Sequence, residues 1–478
     1  MRWGLIGLVL TGAVAASPAV AAPGCDALKS VKLPNAEVTG TLVVAAGTEP
    51  LKPAFDVCRI QIAARPSSDS DIRIELWIPQ GAAWNGKFMQ VGNGGFAGTI
   101  PYRLMNLGLA GGYAVAGTDN GHQSNDSRDA SWALGHPQKV VDFGWRAVKT
   151  TTDTAKAVLR AYGAKLKHSY FFGCSDGGRE ALMSAQRYPA DFDGIIAGAP
   201  AYNWTGLMAG GGIIGARLSQ PGRDIPAAKL PAIQAAALTA CGNGKAWIAD
   251  PQACRFDPEA IACKDAETDG CLTKDQLKTV RLIYSGVDNP ATGKSLPGLV
   301  PGAEALPNSW GDWGLGKGET GADRNFSRSY FANVVRGDAT LRLSQLTKDD
   351  YRRSENEQAA TFNANSADLH KFRARGGKLI QFHGWNDPAI SPGYSLAYAA
   401  RLQSSHGDTS DFYRLYMIPG MLHCSGGAAP TNVNWIKQLE GWVEARRAPG
   451  TVIANAADGS TQSLSAQPSR PAGKAGSR

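Results

Sequence analysis

The chain has 478 residues, with 49 Lys and Arg against 41 Asp and Glu and a formal charge of +8 at pH 7. The basic residues are scattered, which argues against a nucleic-acid-binding protein and leaves at most a mild preference for anionic ligands. With 57 glycines the composition suits an enzyme of short strands and tight turns, and the length allows a large core plus a second unit.

The amino terminus reads as an export signal over residues 1–21. Arg2 supplies the positive start, Leu5 to Val14 the apolar centre, and Ala19-Val20-Ala21 an A-x-A cleavage site. The apolar run is too short for a membrane span and no other stretch approaches one, so the mature chain is expected in periplasm or medium. Eight cysteines follow: Cys25, Cys58, Cys174, Cys241, Cys254, Cys263, Cys271 and Cys424. An even number in an oxidising compartment favours disulfides, and neither C-x-x-C nor Cys/His zinc spacing occurs. Cys241 with Cys254, and Cys263 with Cys271, are short-range candidates. Cys25 and Cys58 bracket the first strands, while Cys174 and Cys424 sit beside a serine and a histidine.

Alternating or β-branched runs predict strands over Val38–Val44, Cys58–Ala63, Asp71–Trp77, Lys87–Val91 and Tyr113–Thr118. Gly92-Asn93-Gly94-Gly95 breaks the fourth of these. Val141–Tyr162 has helical periodicity. It leads to Gly173-Cys174-Ser175-Asp176-Gly177, a G-x-S-x-G sequence between an apolar run (Tyr170 to Phe172) and a helical one (Gly178 to Tyr188). Strand, sharp turn and helix are what a nucleophile elbow needs, with glycines where a side chain would meet neighbouring backbone. A Gly-rich turn after a strand upstream of such an elbow is where an α/β-hydrolase places its second oxyanion donor, which makes Gly94 and Gly95 candidates beside the Asp176 N–H.

Gly194–Pro200 reads as another buried strand. From about 203 to 369 the sequence is irregular and Gly-rich, holds four of the cysteines, and is expected to be a lid. Within it, Trp310 and Trp313 either stack on an aromatic ligand or belong to the lid core. Regular patterning returns with a strand over Lys378–Phe382 ending in His383-Gly384-Trp385-Asn386-Asp387-Pro388, a helix over Tyr394–Leu402, and a strand over Phe412–Met417 ending in Pro419-Gly420-Met421-Leu422-His423-Cys424. The Ser/Pro/Gly/Ala-rich tail, 456–478, is expected to be disordered.

Ser175, Asp387 and His423 stand in the chain order of an α/β-hydrolase triad, with acid and base each in a loop after a strand. A hydroxyl is a poor nucleophile until an imidazole takes its proton, and a carboxylate must hold that imidazole in the right tautomer. His383 is expected either to support the triad from behind or to be a structural hydrogen-bonder at the strand end, and Asp176 to matter for its N–H more than its carboxylate.

Four stretches carry a resemblance to the tannase and fungal-type feruloyl esterase family, which also holds bacterial hydrolases of terephthalate monoesters. They are G-C-S-D-G-G-R-E-A (Gly173–Ala181), Y-P-A-D-F-D-G-I-I-A-G-A-P (Tyr188–Pro200), G-G-K-L-I-Q-F-H-G-W-N-D-P (Gly376–Pro388) and P-G-M-L-H-C (Pro419–Cys424). The likeness spans nearly the whole mature chain. It implies a secreted serine esterase with a lid, with Ser175 as nucleophile, His423 as base and Asp387 as orienting acid. It also implies a disulfide between Cys174 and Cys424. Two departures stand out. The family's aspartate-rich calcium loop corresponds to Gly242–Ala249, which is short and has no carboxylate, so calcium is not expected. A further C-terminal cysteine pair is absent from this sequence.

The expected fold is α/β: an α/β-hydrolase core over 22–202 and 370–455 with the lid at 203–369. The expected function is hydrolysis of aromatic acid esters, feruloyl or other hydroxycinnamoyl first and galloyl next, through an acyl-enzyme and without a cofactor. A terephthalate monoester is the alternative within the class. A non-catalytic binding protein on a hydrolase scaffold is the alternative outside it.

Overall fold

The computed structural model of the chain describes residues 24–313 and 322–467, so the expected export signal over 1–21 lies outside the described residues. Nine strands form one sheet: β1 (Ala36–Val44), β2 (Val57–Ala64), β3 (Ile72–Pro79), β4 (Phe88–Val91), β5 (Ala114–Thr118), β6 (Ser169–Cys174), β7 (Gly194–Gly198), β8 (Lys378–Gly384) and β9 (Tyr413–Ile418). Their order is β1-β2-β3-β5-β4-β6-β7-β8-β9. The first four neighbours in that order pair antiparallel. From β5 through β4 to β9 every pairing is parallel. Parallel strands are buried on both faces, which explains the unbroken apolar runs in β6 and β7. Phe171, Ile195 and Leu379 lie in register and feed one core layer, while Tyr170, Ile196 and Ile380 feed the other.

Helix α1 (Ala147–Ala161) covers the first layer with Ala155, Val158 and Leu159, and α2 (Asp176–Arg187) adds Leu182 and Met183. The helix expected over 141–162 begins its regular part only at Ala147. A wider π-type turn over Asp142–Arg146 precedes it, held by an Arg146–Asp142 ion pair.

The insertion at 203–369 is mostly helical rather than irregular. It holds α3 (Trp204–Leu218), α4 (Leu230–Cys241) and α5 (Lys274–Ser285). A Thr273–Gln276 capping box starts α5 by satisfying backbone N–H groups at its first turn. Leu218, Ile233, Leu277, Val280, Ile283 and Trp310 form a separate apolar cluster there. Its last third behaves differently: Tyr330, Phe331 and Phe362 join the main core, and Phe362 meets Phe143 with ring centroids 5.7 Å apart. That part of the expected lid is thus packed into the catalytic body.

After β8 the chain forms α6 (Pro392–His406), and after β9 it forms α7 (Trp435–Ala445), whose Trp435, Leu439 and Trp442 close the second core layer. The tail departs from the expected disorder over its described part. Thr461–Leu464 pairs antiparallel with Val452–Asn455 across an Asp458-Gly459 turn; residues 468–478 lie outside the described residues. Disulfides join Cys25–Cys58, Cys174–Cys424, Cys241–Cys254 and Cys263–Cys271. No helix among the described residues is long and apolar enough to cross a membrane.

Candidate active site

Ser175 sits between β6 and α2 at φ 65° and ψ −122°, a backbone conformation costly for a residue with a Cβ. Its N–H donates to the Gly198 carbonyl at 3.0 Å, which anchors the turn against β7. The turn is this tight only because its neighbours are glycines. A Cβ on Gly173 would lie 2.1 Å from the Gly177 carbonyl oxygen, and one on Gly178 would lie 2.3 Å from that of Gly198. Asp176 opens α2, where backbone N–H groups have no intrahelical partner and the helix dipole favours negative charge.

Gly95 lines one cavity together with Ser175 and Asp176. Gly94 does not line it; its carbonyl accepts the Ala97 N–H at 3.0 Å. Of the two glycines expected near the oxyanion, Gly95 is the one that shares this cavity with Ser175.

Asp387 and His423 are carried by the loops after β8 and β9. These loops are tied together: the Trp385 N–H donates to the Ile418 carbonyl at 2.9 Å, and the Asn386 N–H to that of Met421 at 3.0 Å. Asp387 Oδ2 lies 2.8 Å from His423 Nδ1, and its Oδ1 accepts the N–H groups of Ala389 and Ile390 at 2.8 and 2.9 Å. Burial opposes ionisation, but His423 and the hydrogen bonds from His383 and His423 outweigh it and hold this carboxyl well below the usual range. An ionised Asp387 makes Nδ1 of His423 the donor and leaves the Nε2 lone pair free to accept a proton. The Cys174–Cys424 disulfide, with Cα atoms 6.0 Å apart, ties the residue before Ser175 to the residue after His423.

His383, at the end of β8, stands between Asp387 and Ser395. Its Nε2 lies 2.9 Å from the Ile390 carbonyl and 3.2 Å from Asp387 Oδ2, and its Nδ1 lies 2.6 Å from Ser395 Oγ. Gln381 Nε2 donates to Ser395 Oγ at 2.6 Å, and Tyr413 Oη donates to Gln381 Oε1 at 2.9 Å. The Tyr413 hydroxyl has no other hydrogen to give, so the chain has one polarity: Tyr413, Gln381, Ser395 and His383 each donate toward Asp387. Gln381, Ser395 and Tyr413 were not found from the sequence. The available signal was two polar residues, Gln381 and His383, at period two in an otherwise apolar strand.

The Asp176 carboxylate also has a role that was not expected. Its Oδ1 lies 2.6 Å from Arg179 Nε, and Arg179 donates to the Gly144 carbonyl at 2.6 Å, beneath Trp204 and Phe143. The pair is fully buried and locks the start of α2 onto the π-type turn.

The cavity above Ser175 is walled by Trp204, Leu207, Met208 and Ile214 of α3, by Leu296 to Leu299, and by Pro388 to Ile390. Asp176 is the only charged residue among its described lining residues, and its carboxylate is held in the buried pair with Arg179. Trp310 belongs to the lid cluster, 5.4 Å from the Tyr284 ring, and also lines the cavity. Trp313 lines it too and meets the His423 ring edge-on, 4.8 Å between centroids. A calcium ion does not fit the shortened lid loop. Lys245 holds its ammonium 5.4 Å over the Trp247 ring, and Asp250 Oδ1 accepts the Ala253 N–H at 3.3 Å. A cation already in place and no carboxylate between Cys241 and Asp250 cannot supply about six to eight oxygens.

A mixed sheet, parallel around a strained serine that sits between a central strand and a helix, followed by acid and histidine loops, defines an α/β-hydrolase. The profile described as "Tannase and feruloyl esterase" matches residues 58–477. An uncharacterised esterase of Xanthomonas campestris pv. campestris is 38% identical over 94% of this chain and 86% of that one. A probable feruloyl esterase B-2 of Aspergillus flavus is 31% identical over 83% and 79%. The crystal structure of feruloyl esterase B from Aspergillus oryzae superposes with a TM-score of 0.84 at 25% identity, covering 93% of this chain and 96% of that one. Tannin acyl hydrolase from Aspergillus niger shares the fold, with a TM-score of 0.74 at 22% identity and 94% coverage of both chains. The chain belongs to the tannase and feruloyl esterase family, and is a carboxylic ester hydrolase.

Proposed function

We propose that the protein is an exported serine esterase that hydrolyses esters of aromatic acids through an acyl-enzyme. The observation that carries this reading is a single cavity with an apolar, tryptophan-bearing wall that ends on Ser175. In this reading Ser175 Oγ attacks the ester carbonyl as His423 Nε2 takes its proton. The N–H groups of Asp176 and Gly95 donate to the oxyanion, and the imidazolium protonates the departing alcohol. Water then repeats the sequence on the acyl-enzyme and releases the acid. No metal takes part. The four disulfides support an oxidising, exported location.

The wall also supports an order among the substrates. A neutral hydroxycinnamoyl ring can be buried against Trp204, Met208 and Ile214. A galloyl ring brings three hydroxyls to a wall that offers few polar side chains. A terephthalate monoester brings a second carboxylate, and no lysine or arginine among the described lining residues stands ready to pair with it. The likeness to feruloyl esterases supports the same order. Parallel assays with methyl ferulate, methyl gallate and a terephthalate monoester test it. The highest kcat/KM is expected on the ferulate, and a preference for the terephthalate monoester would overturn the ranking.

A further inference from the structure

Behind the nucleophile lies a buried carboxyl that the reaction above does not use. Glu180, in the second turn of α2, is 2% exposed, and its oxygens reach two loops on the oxyanion side of the site. Oε2 accepts the Asn93 backbone N–H at 3.2 Å, and Oε1 accepts the Asn120 side-chain amide. Asn93 is held from two further directions: its side chain donates to the Thr118 carbonyl, and its own carbonyl accepts the Gly177 N–H at 2.7 Å. The residue that precedes Gly94-Gly95 is therefore clamped between the ends of β4 and β5 and the start of α2. Space is exhausted around the carboxyl, since a Cβ on Gly92 would sit 2.6 Å from Glu180 Oε2.

The charges leave one proton to place. Asp176 lies on the same side of α2, four residues earlier. Arg179 occupies its Oδ1, and its Oδ2 is buried with no hydrogen-bond partner among the described residues. Two carboxyls and one guanidinium in a sealed space are neutral only if one carboxyl keeps its hydrogen. Arg179 sits on Asp176, so the hydrogen belongs on Glu180, where it can point at the vacant Asp176 Oδ2. Burial, then the Asp176 charge, push Glu180 up to about 8. The elements packed around it bring two neutral amides, Asn93 and Asn120. Farther off are Asp142, ion-paired to Arg146 behind Gly121, and Asp119 at the end of β5, raised to about 7 by burial.

We propose that Glu180 is a positioning residue, held as a neutral carboxylic acid, that fixes the Asn93–Gly95 loop for oxyanion binding and keeps a second negative charge away from it. This rests on the assignment of Ser175 and its oxyanion donors above. The sign of the pH effect follows. Loss of the Glu180 proton adds an anion behind the oxyanion site, so kcat falls as pH rises through its ionisation, while KM stays put.

The experiment is a kcat and KM profile from about pH 6 to about pH 10 for wild type, Glu180→Gln and Glu180→Ala. Wild type is expected to show an alkaline decline in kcat. Glu180→Gln is neutral at every pH and is expected within about threefold of wild type at pH 7, without that decline. Its new NH2 can donate to Asn120 Oδ1, which is buried and has no hydrogen-bond partner among the described residues, once the Asn120 amide turns over. Glu180→Ala removes the clamp and should lower kcat by about 10- to 100-fold with little change in KM. A wild-type profile with no alkaline decline, an unchanged decline in Glu180→Gln, or normal turnover in Glu180→Ala overturns the proposal. Should Glu180→Gln not fold, infrared difference spectra of the wild type decide: a protonated-carboxyl band must vanish with the midpoint of the kcat decline, and its absence there overturns the proposal. Near-normal activity of Ser175→Ala would instead remove the underlying mechanism, so the two failures are distinct.

Discussion

The floor of the cavity and its roof are built by different physical means. On the floor, Ser175, Asp387 and His423 are placed by directional constraints: a strained backbone turn, hydrogen bonds of 2.6 to 3.2 Å around Asp387 and His383, and a disulfide across the site. The roof is placed mainly by side chains touching one another. Helices α3 and α5, Leu296 to Leu299 and Trp310 meet through apolar clusters, supplemented by hydrogen bonds such as Arg217 Nε to Thr279 Oγ1 and the Leu299 N–H to the Ile283 carbonyl, both at 2.8 Å. Among the described residues they make no ladder with the nine-stranded sheet. Directional bonds fix reacting atoms within fractions of an ångström, whereas packing fixes a volume and tolerates repacking. Changes in the floor should therefore appear in kcat, and changes in the roof in KM and in the choice of acyl group.

The largest effect expected lies in the floor. Ser175→Ala should lower kcat by several decades, and Asp387→Asn by about 10⁴-fold, with KM for an aromatic ester little changed. Steady-state kinetics on folded protein checks both.

Next comes the disulfide. Opening the 250-residue interval between Cys174 and Cys424 by the double change Cys174→Ala/Cys424→Ala should lower the melting temperature. The chain-entropy model puts the loss near about 5 kcal/mol. Turnover should fall by about 10²-fold, because a shift of about 1 Å between base and nucleophile costs that much. Wild-type turnover in the double variant would show that the loops hold their register without the bond.

The roof should respond with smaller, substrate-dependent effects. Ile214→Ala removes about three carbons of apolar contact, worth about 2 kcal/mol if all are lost. KM for an aromatic ester should rise by about tenfold while the rate on an acetyl ester stays constant. A fall in kcat on both substrates would mean that α3 also positions the floor. The smallest effect is expected from chelation. The Lys245–Trp247 contact occupies the loop, and EGTA should leave both activity and melting temperature unchanged. A loss that calcium restores would place ligands elsewhere in the roof.

The same division decides what could be read from the sequence. Floor residues announce themselves because close approach and hydrogen bonding demand particular types at fixed spacings. Glycines surround Ser175, and each partner follows a strand. Arg179, Ser395 and Tyr413 went unseen, since each is an ordinary residue whose role appears only when distant segments meet. In the roof, α3 was hidden by its own glycines: Gly206, Gly210, Gly211, Gly212 and Gly215 lower helix propensity and suggested loops, yet tertiary contacts hold the helix. The tail failed for a related reason. Its composition suggested disorder, while Asp458-Gly459 was a turn signal that the pairing of Val452–Asn455 with Thr461–Leu464 follows.

The account stands most directly on the covalent intermediate. Rapid acid quenching of wild type with a slowly turned-over aryl ester of ferulic acid, followed by peptide mass spectrometry, reads it. The expected result is one feruloyl group on the peptide that contains Ser175, a burst of released alcohol matching the enzyme concentration, and neither in Ser175→Ala. An acyl group on another residue, or unimpaired turnover by Ser175→Ala, would contradict it.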